Sequence, residues 1–251
     1  MVGLGEESSV SVERDRGRIA ISGRVTERDE LALSWILSQG VMTVDQIYRA
    51  VYSADGAKSL RIAYARVKFL ESSRYLFAVH ATHKRDRFFK ATKRAQSLLL
   101  LKKYPDVTRA LYVPSLSEIP HAEILTEIRI AILKSGKHAN EPMWWRSEGS
   151  LMEDKAFPKE RFYDLMPDAL WVTKSGRRIA IEFERTRKGS TRIRKKIEGL
   201  ERELNRGDRA FDLVLWVSVE GAYRDLKAVL GNRETQTLRT VDEFLEELKG
   251  E

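Results

Sequence analysis

Three carboxylates in the second half of the sequence have the types and spacing of a metal-dependent site. Asp168 directly precedes the apolar segment Ala169–Thr173, which predicts a strand. Glu182 and Glu184 end the next predicted strand, Arg178–Glu184, and two residues of separation place their side chains on one face of it. The turn between the strands brings this pair beside Asp168. Because like charges repel unless a cation is present, the cluster predicts Mg²⁺ or Mn²⁺, which would act on a phosphodiester.

The elements around these carboxylates alternate between helical and extended patterns, as in an α/β domain with a central mixed sheet. We predict helices over 119–135, 190–206 and 221–230 and from Val241, and strands over Met143–Arg146, Ala169–Thr173, Arg178–Glu184, Asp212–Ser218 and near 237–238. The segment between 146 and 169 predicts a loop. His121 begins the first of these helices and is a candidate metal ligand or general base, although a capping or surface role is the commoner one for a lone histidine.

The first third of the chain has the element order of a winged helix-turn-helix. Residues 1–23 predict a flexible tail, and Thr26–Asp29 begins a helix that Gly40 ends. The capping box Thr43–Gln46 opens a second helix, a basic helix follows over 58–72, a hairpin over 75–90, and Thr92 caps a fourth helix. This order predicts a DNA-binding domain over 24–104, a linker over 105–118, and a second domain over 119–251. A helical interaction domain that binds no DNA is the alternative.

Positive charge is concentrated beside both patterns. The 251-residue chain has a net charge of +8, and Lys58–Arg94 alone contains eleven basic against two acidic residues. Arg185–Arg209 contains ten against four. Such segregation is typical of proteins that bind polyanions, and double-stranded DNA is the expected partner. The candidate DNA contacts on the third helix and the hairpin are Arg61, Arg66, Lys68, Lys84, Arg85 and Arg87.

Several classes of protein are excluded by composition. The absence of cysteine excludes a disulfide framework, a cysteine-ligated metal site and a thiol nucleophile. No wholly apolar run, whether Leu98–Leu101 or the slightly longer Leu213–Val217, approaches the length needed to span a membrane. The N-terminus lacks the apolar core of a secretory signal, so a cytoplasmic location is expected. No glycine-rich phosphate loop supports a dependence on ATP or NAD.

The carboxylate pattern resembles the PD-(D/E)xK nuclease superfamily, which has the restriction-endonuclease-like fold. The resemblance rests on Pro167-Asp168, on the strand–turn–strand spacing and on Glu182-x-Glu184. It implies that Asp168 and Glu182 bind the metal and that an acid on the preceding helix, Glu127 or alternatively Glu123, assists. The third motif position, a lysine in the superfamily, is Glu184 here. In some members the lysine lies on the following helix, where Lys196, or next Lys195, could supply it.

Over residues 24–218 the chain also resembles the replication-relaxation family and the restriction-endonuclease-like relaxases that mobilise plasmids. The motifs that carry this resemblance are Thr26-x-Arg28-Asp29, His121-x5-Glu127, Pro167-Asp168, Glu182-x-Glu184-Arg185 and Lys195-Lys196-Ile197. It implies DNA nicking, or an accessory role in plasmid replication or transfer.

Two functions therefore remain open: a metal-dependent DNA endonuclease or nickase, and a non-catalytic replication or transcription regulator. Other replication or mobilisation proteins are conceivable partners, and a double-strand cutter would more naturally be a homodimer. A purely structural protein does not account for the two basic segments.

Overall fold

The computed structural model describes residues 23–53, 60–80, 87–104, 106–108, 114–140, 143–186 and 189–250. Almost all of the predicted tail, the tip of the predicted hairpin with Lys84 and Arg85, and part of the predicted linker lie outside these ranges. The described residues form ten α-helices and two β-sheets, so the predicted mixed α/β class is confirmed.

The N-terminal part combines helices with a small antiparallel sheet. Its elements are α1 (Glu27–Gln39), β1 (Met42–Thr43), α2 (Val44–Ile47), α3 (Leu60–Ser72), β2 (Leu76–His80), β3 (Arg87–Ala91) and α4 (Lys93–Leu101), and α2 continues as a π-helical turn over Tyr48–Tyr52. The strand order is β1-β3-β2, and β2 and β3 pair antiparallel as the predicted hairpin requires.

Side-chain caps fix where the N-terminal helices begin. Thr26 accepts a hydrogen bond from the backbone of Asp29, whose carboxylate accepts one in return from the backbone of Thr26. Thr43 and Gln46 form the same reciprocal box at α2, and Thr92 caps α4. Each box satisfies backbone N–H groups that the first helical turn leaves unpaired. All three predicted helix starts are therefore confirmed.

The C-terminal part is built on a five-stranded sheet. Its elements are α5 (Ile119–Ser135), β4 (Trp145–Ser147), α6 (Glu148–Met152), α7 (Lys159–Phe162), β5 (Ala169–Val172), β6 (Arg178–Glu184), α8 (Ser190–Leu204), β7 (Leu213–Ser218), α9 (Glu220–Leu230), β8 (Gln236–Thr240) and α10 (Val241–Lys249). The order is β4-β5-β6-β7-β8, with antiparallel pairing from β4 to β6 and parallel pairing from β6 to β8. The two short helices α6 and α7 occupy the segment predicted as a loop.

Both faces of this sheet are covered, because its strands carry apolar side chains on alternating faces. Ala180, Val214 and Trp216 pack under α8 and α9. Ile181 and Val217 point the other way and pack against α5 and α10. This alternation decides which residues at the strand ends face α8, and hence which side of the sheet carries the candidate site.

The two parts of the chain share buried contacts through α5. Ile130 of α5 belongs to the core of the N-terminal part. Arg129 lies against the ring of Trp35 from α1, at 3.9 Å from the ring centroid, and 3.8 Å from Asp106. Burial lowers the pKa of Arg129 to about 10. Helix α5, which carries His121 in its first turn, is thus anchored on the N-terminal part of the chain.

Candidate active site

The hairpin formed by β5 and β6 places Asp168 opposite Glu182. Ala169 pairs with Ile181 in this antiparallel hairpin. Asp168, one residue before Ala169, therefore lies opposite Glu182, one residue after Ile181. The backbone N–H of Phe183 donates a hydrogen bond of 2.7 Å to Asp168 Oδ2. The structure therefore brings Asp168 to the end of β6 at which the glutamates stand.

His121 approaches Asp168 from the other side. Its Nε2 lies 3.4 Å from Asp168 Oδ1, and its ring lies against Phe183 with 5.1 Å between centroids. Burial opposes ionisation of Asp168, but hydrogen bonding to His121, the charges of His121 and Lys196 and the Phe183 N–H together lower its pKa. Asp168 is consequently a carboxylate held in its ionised form by groups from α5, β6 and α8.

Lys196 is the lysine that reaches the carboxylates. Its Nζ lies 2.6 Å from Glu182 Oε2 and 3.4 Å from the carbonyl oxygen of Met166. Only 4% of the Glu182 side chain is exposed, so the ammonium group compensates a buried charge. Burial alone would lower the pKa of Lys196, but the charges of Glu182 and Asp168 outweigh it and raise that pKa. Lys195, the alternative, is exposed and only lines the same cleft.

Glu148 is a neighbouring carboxylate that the sequence analysis missed. It follows β4 directly, and because Ser147 pairs with Ala169 it stands opposite Asp168. Its backbone N–H donates to the carbonyl oxygen of Asp168 at 3.1 Å. Desolvation in the cleft and then the charge of Asp168 raise the pKa of Glu148. The available signal was its position just after the predicted strand Met143–Arg146, although the pairing of that strand with the strand after Asp168 was not predicted.

Glu184 occupies the motif position where a lysine was expected by resemblance. Its carboxylate is buried and accepts hydrogen bonds from the backbone N–H and the hydroxyl of Thr186, at 3.1 and 3.3 Å. It faces the same side of the sheet as Glu182 and lines the same cleft. The structure thus places Glu184 near the site, with hydrogen bonds to the backbone and the hydroxyl of Thr186, two residues further along the chain.

Glu127 lies elsewhere, which corrects its prediction as an assisting metal contact. Both of its carboxylate oxygens accept hydrogen bonds from Arg49 at 2.7 Å, and Oε1 accepts a further one from Gln46 at 2.8 Å. Those interactions lower its pKa despite partial burial. Glu127 lies six residues after His121 on α5, so the helical turn directs its side chain away from His121 and towards α2. Glu123 and Glu127 both line a separate cleft, whose other residues include Arg49.

A cleft of about 860 Å³ opens in front of Glu182. One wall is α8, with Arg192 and Lys195, and the other is the segment that follows α7. Arg161 ties the two walls together by forming ion pairs with Glu203 and with Asp208. The floor of the cleft is acidic and its α8 wall is mostly basic. The cleft therefore has ligands for a metal ion at its floor and for phosphate along α8.

The fit to a divalent cation rests on Asp168 and Glu182. Among the residues described, no three His, Asp or Glu side chains are arranged to hold a metal ion. The carboxylates of Asp168 and Glu182, side by side at the end of a strand pair, are nevertheless hard oxygen donors. Mg²⁺ often takes only one or two carboxylates and completes its shell with water and substrate phosphate. The donor chemistry at this site therefore suits Mg²⁺ or Mn²⁺ as part of a complex with phosphate.

The candidate DNA contacts separate into different environments. Arg61 and Lys68 are exposed on α3, and Arg87 on β3 is half exposed, with an ion pair of 2.8 Å to Glu71. Arg66 was predicted to contact DNA, but it is buried and forms a bidentate ion pair with Asp29. Its side chain points into the protein because α3 presents this position to the start of α1. Lys84 and Arg85 lie outside the described residues.

The fold and the site together define a mixed α/β protein with a carboxylate–lysine cluster at the ends of its central strands. A model of the replication-relaxation family matches residues 33–209. The chain therefore belongs to the replication-relaxation family, which suggests a role in the replication or mobilisation of a plasmid. No curated protein and no solved structure gives a significant match. Within the described ranges, no helix combines the length and apolar composition needed to cross a bilayer.

Proposed function

We propose that this chain is a DNA-binding, metal-dependent endonuclease or nickase of a plasmid or other mobile element. In this proposal residues 24–104 form a winged helix-turn-helix that binds duplex DNA, 105–118 a linker, and 119–251 a PD-(D/E)xK nuclease-like domain. The observation that carries the proposal is the contact between Lys196 and Glu182. Lys196 supplies from α8 the lysine side chain that the superfamily motif places at the position of Glu184.

The topology supports this assignment. In the N-terminal part, three helices and a hairpin follow the winged-helix order, and α3 presents Arg61 and Lys68 on its exposed face. In the C-terminal part, an antiparallel hairpin continues into parallel strands, with α5 on one face of the sheet and α8 on the other. Asp168 and Glu182 stand at the strand ends, as in the superfamily that the sequence resembles.

The proposed roles follow from the contacts. Mg²⁺ or Mn²⁺ bound by Asp168 and Glu182 would supply Lewis acidity and a water of lowered pKa. Phe183 N–H and His121 orient Asp168, and the Lys196 ammonium stabilises negative charge that develops on the phosphate. Water adds to phosphorus, one bridging P–O bond breaks, and the departing oxygen takes a proton. The α8 wall of the cleft holds the phosphate backbone by charge.

A supercoiled-plasmid assay tests this function. The substrate carries the DNA that naturally neighbours the gene, and the reactions contain Mg²⁺, Mn²⁺ or EDTA. Wild type, Asp168→Asn and Glu182→Gln are compared with Glu220→Gln, an exposed glutamate at the start of α9. Open circles or linear DNA that require both the metal and the two carboxylates establish the nuclease, and their ratio separates nicking from double-strand cleavage.

The second candidate is a DNA-binding regulator without catalysis. It is favoured by the charge compensation within the site, because Glu182 is paired with Lys196 and Asp168 with His121. Such pairs can serve folding alone. A mobility shift of the same plasmid DNA, with no cleavage in either metal and no effect of Asp168→Asn, would favour this regulator and overturn the nuclease.

A further inference from the structure

The wall of the cleft opposite α8 carries an aromatic side chain in contact with solvent. Tyr163 lines the cleft and is 85% exposed, more than any other large apolar or aromatic residue among those described. Its segment is held in place from both sides. Arg161 binds Glu203 of α8, and Leu165 packs so closely on Gly199 that a β-carbon there would overlap it. An exposed ring on an anchored segment at the edge of a polar cleft offers a stacking surface.

The α8 wall is suited to a phosphate backbone. Arg192, Lys195 and Arg202 of α8 line the cleft together with one acid of the same helix, Glu198, so this wall is predominantly basic. None of the three basic residues forms an ion pair with any residue that the structure describes. Their spacing of three and seven residues places them on one face of the helix, over about 15 Å. The opposite wall carries the acids Glu160 and Asp164, which repel phosphate. The charges therefore orient a bound strand, with its phosphates on α8 and its bases towards Tyr163.

We propose that this cleft binds one unpaired DNA strand, with the phosphates along α8 and a base stacked on Tyr163. The cleft of about 860 Å³ is in the size range of small-molecule pockets, which is enough for a few nucleotides. Only an unpaired base exposes its face to stack on Tyr163, so the exposed ring favours a single strand over a duplex. Stacking on an aromatic ring beside a basic groove is a general means of binding single strands without sequence preference. The identity of the ligand as DNA rests on the proposed function, and duplex DNA remains assigned to the N-terminal part.

The test is fluorescence anisotropy with a labelled 20-nucleotide oligothymidylate in EDTA. Unlabelled duplex is present to occupy the duplex-binding surface, and a labelled duplex is titrated separately. Tyr163→Ala is expected to weaken binding of the oligothymidylate by about 5- to 100-fold, the effect of losing one stacked base. Tyr163→Phe keeps the ring and stays within about twofold of wild type. Tyr223→Ala, a tyrosine on α9 outside the cleft, serves as the matched control.

The charged wall has its own readout. Replacing Lys195 or Arg202 by Gln should each reduce the slope of log affinity against log salt for the oligothymidylate by about 0.7. Because Tyr163 makes few buried contacts, thermal unfolding of Tyr163→Ala should match that of wild type.

Two results overturn the inference. One is an affinity of Tyr163→Ala for oligothymidylate equal to that of wild type. The other is a loss of duplex affinity by the same factor, which would show that the residue does not select single strands. Because the assay excludes metal, it does not depend on cleavage. Binding that depends on Tyr163 in a protein that never cuts plasmid DNA would support this inference while refuting the nuclease.

Discussion

Lys196 Nζ lies 2.6 Å from Glu182 Oε2, although the two residues belong to different elements and are separated by fourteen positions. The lysine extends from α8 over the end of β6, where Glu182 is almost entirely buried. Glu184, two residues beyond Glu182, turns to Thr186 instead. The ammonium group of this site therefore comes from the helix packed on the sheet, which makes Lys196 the most informative residue to change.

Lys196→Met should lower the nicking rate of supercoiled plasmid by about 100-fold or more, since one preorganised charge aimed at the reacting phosphate contributes on that scale. Arg194→Ala removes a charge from an exposed position of the same helix, outside the cleft, and should leave the rate within about twofold. The measurement is the initial rate of open-circle formation in Mg²⁺. Equal losses in both variants would mean that α8 acts only through its overall charge.

The same pair should be visible in stability. Lys196→Met leaves Glu182 buried without its cation, and we expect the free energy of unfolding in urea to fall by about 1–3 kcal/mol. The value lies below that for a fully buried pair because 28% of the Lys196 side chain is exposed. Adding Glu182→Gln to this variant removes the unpaired charge and should recover part of the loss. A double-mutant cycle with no coupling energy would show that the contact is not formed in solution.

The sequence predicted what local patterns determine. The predicted bounds 119–135 and 178–184 coincide with those of α5 and β6, because Gly136 ends α5 in the left-handed region at φ 63° and the turn through Gly176 sets the start of β6. The helices α6 and α7 were missed because five and four residues are too short to show a helical period.

The structure departs from the sequence-based assignments at residues whose positions depend on long-range contacts. Arg66 belongs to a basic helix, and no local signal shows that Asp29, 37 positions earlier, arrives to bury it. Glu127 is likewise bound by Arg49, 78 positions away. Glu148 was missed for the same reason, because its proximity to Asp168 depends on the pairing of β4 with β5.

Arg66 and Arg61 should behave differently although both lie on α3. Arg66→Ala leaves the buried Asp29 carboxylate without its main partner, and we expect unfolding free energy to fall by about 3–5 kcal/mol. Arg61→Ala should leave stability unchanged, weaken duplex binding, and reduce the salt slope of duplex affinity by about 0.9. Urea titrations and anisotropy at several salt concentrations separate the two. A normally stable Arg66→Ala protein with weakened DNA binding would restore the original assignment of Arg66.

Asp29 should make stability depend on acid pH. Burial opposes its ionisation, but hydrogen bonds from Arg66 and Thr26 prevail and lower its pKa below the ordinary 3.8. Its contribution to stability is therefore complete above about pH 5 and is lost as the pH falls through the lowered pKa. Urea unfolding of wild type and of Asp29→Asn at pH 6 and pH 3 provides the test. The stability gap between the two proteins should narrow at pH 3, and a constant gap would contradict this assignment.

Replacing Glu127 tests whether its carboxylate belongs to the proposed metal site. Because Arg49 and Gln46 hold its carboxylate, Glu127→Gln should act on the junction between α2 and α5 rather than on cleavage. Nearly a third of its side chain is exposed, so we expect a loss of about 1 kcal/mol in unfolding free energy. The nicking rate in Mg²⁺ should stay within about twofold of wild type, and raising the Mg²⁺ concentration should change nothing. A folded Glu127→Gln protein whose lost activity returns at high Mg²⁺ would instead place this carboxylate in the metal site.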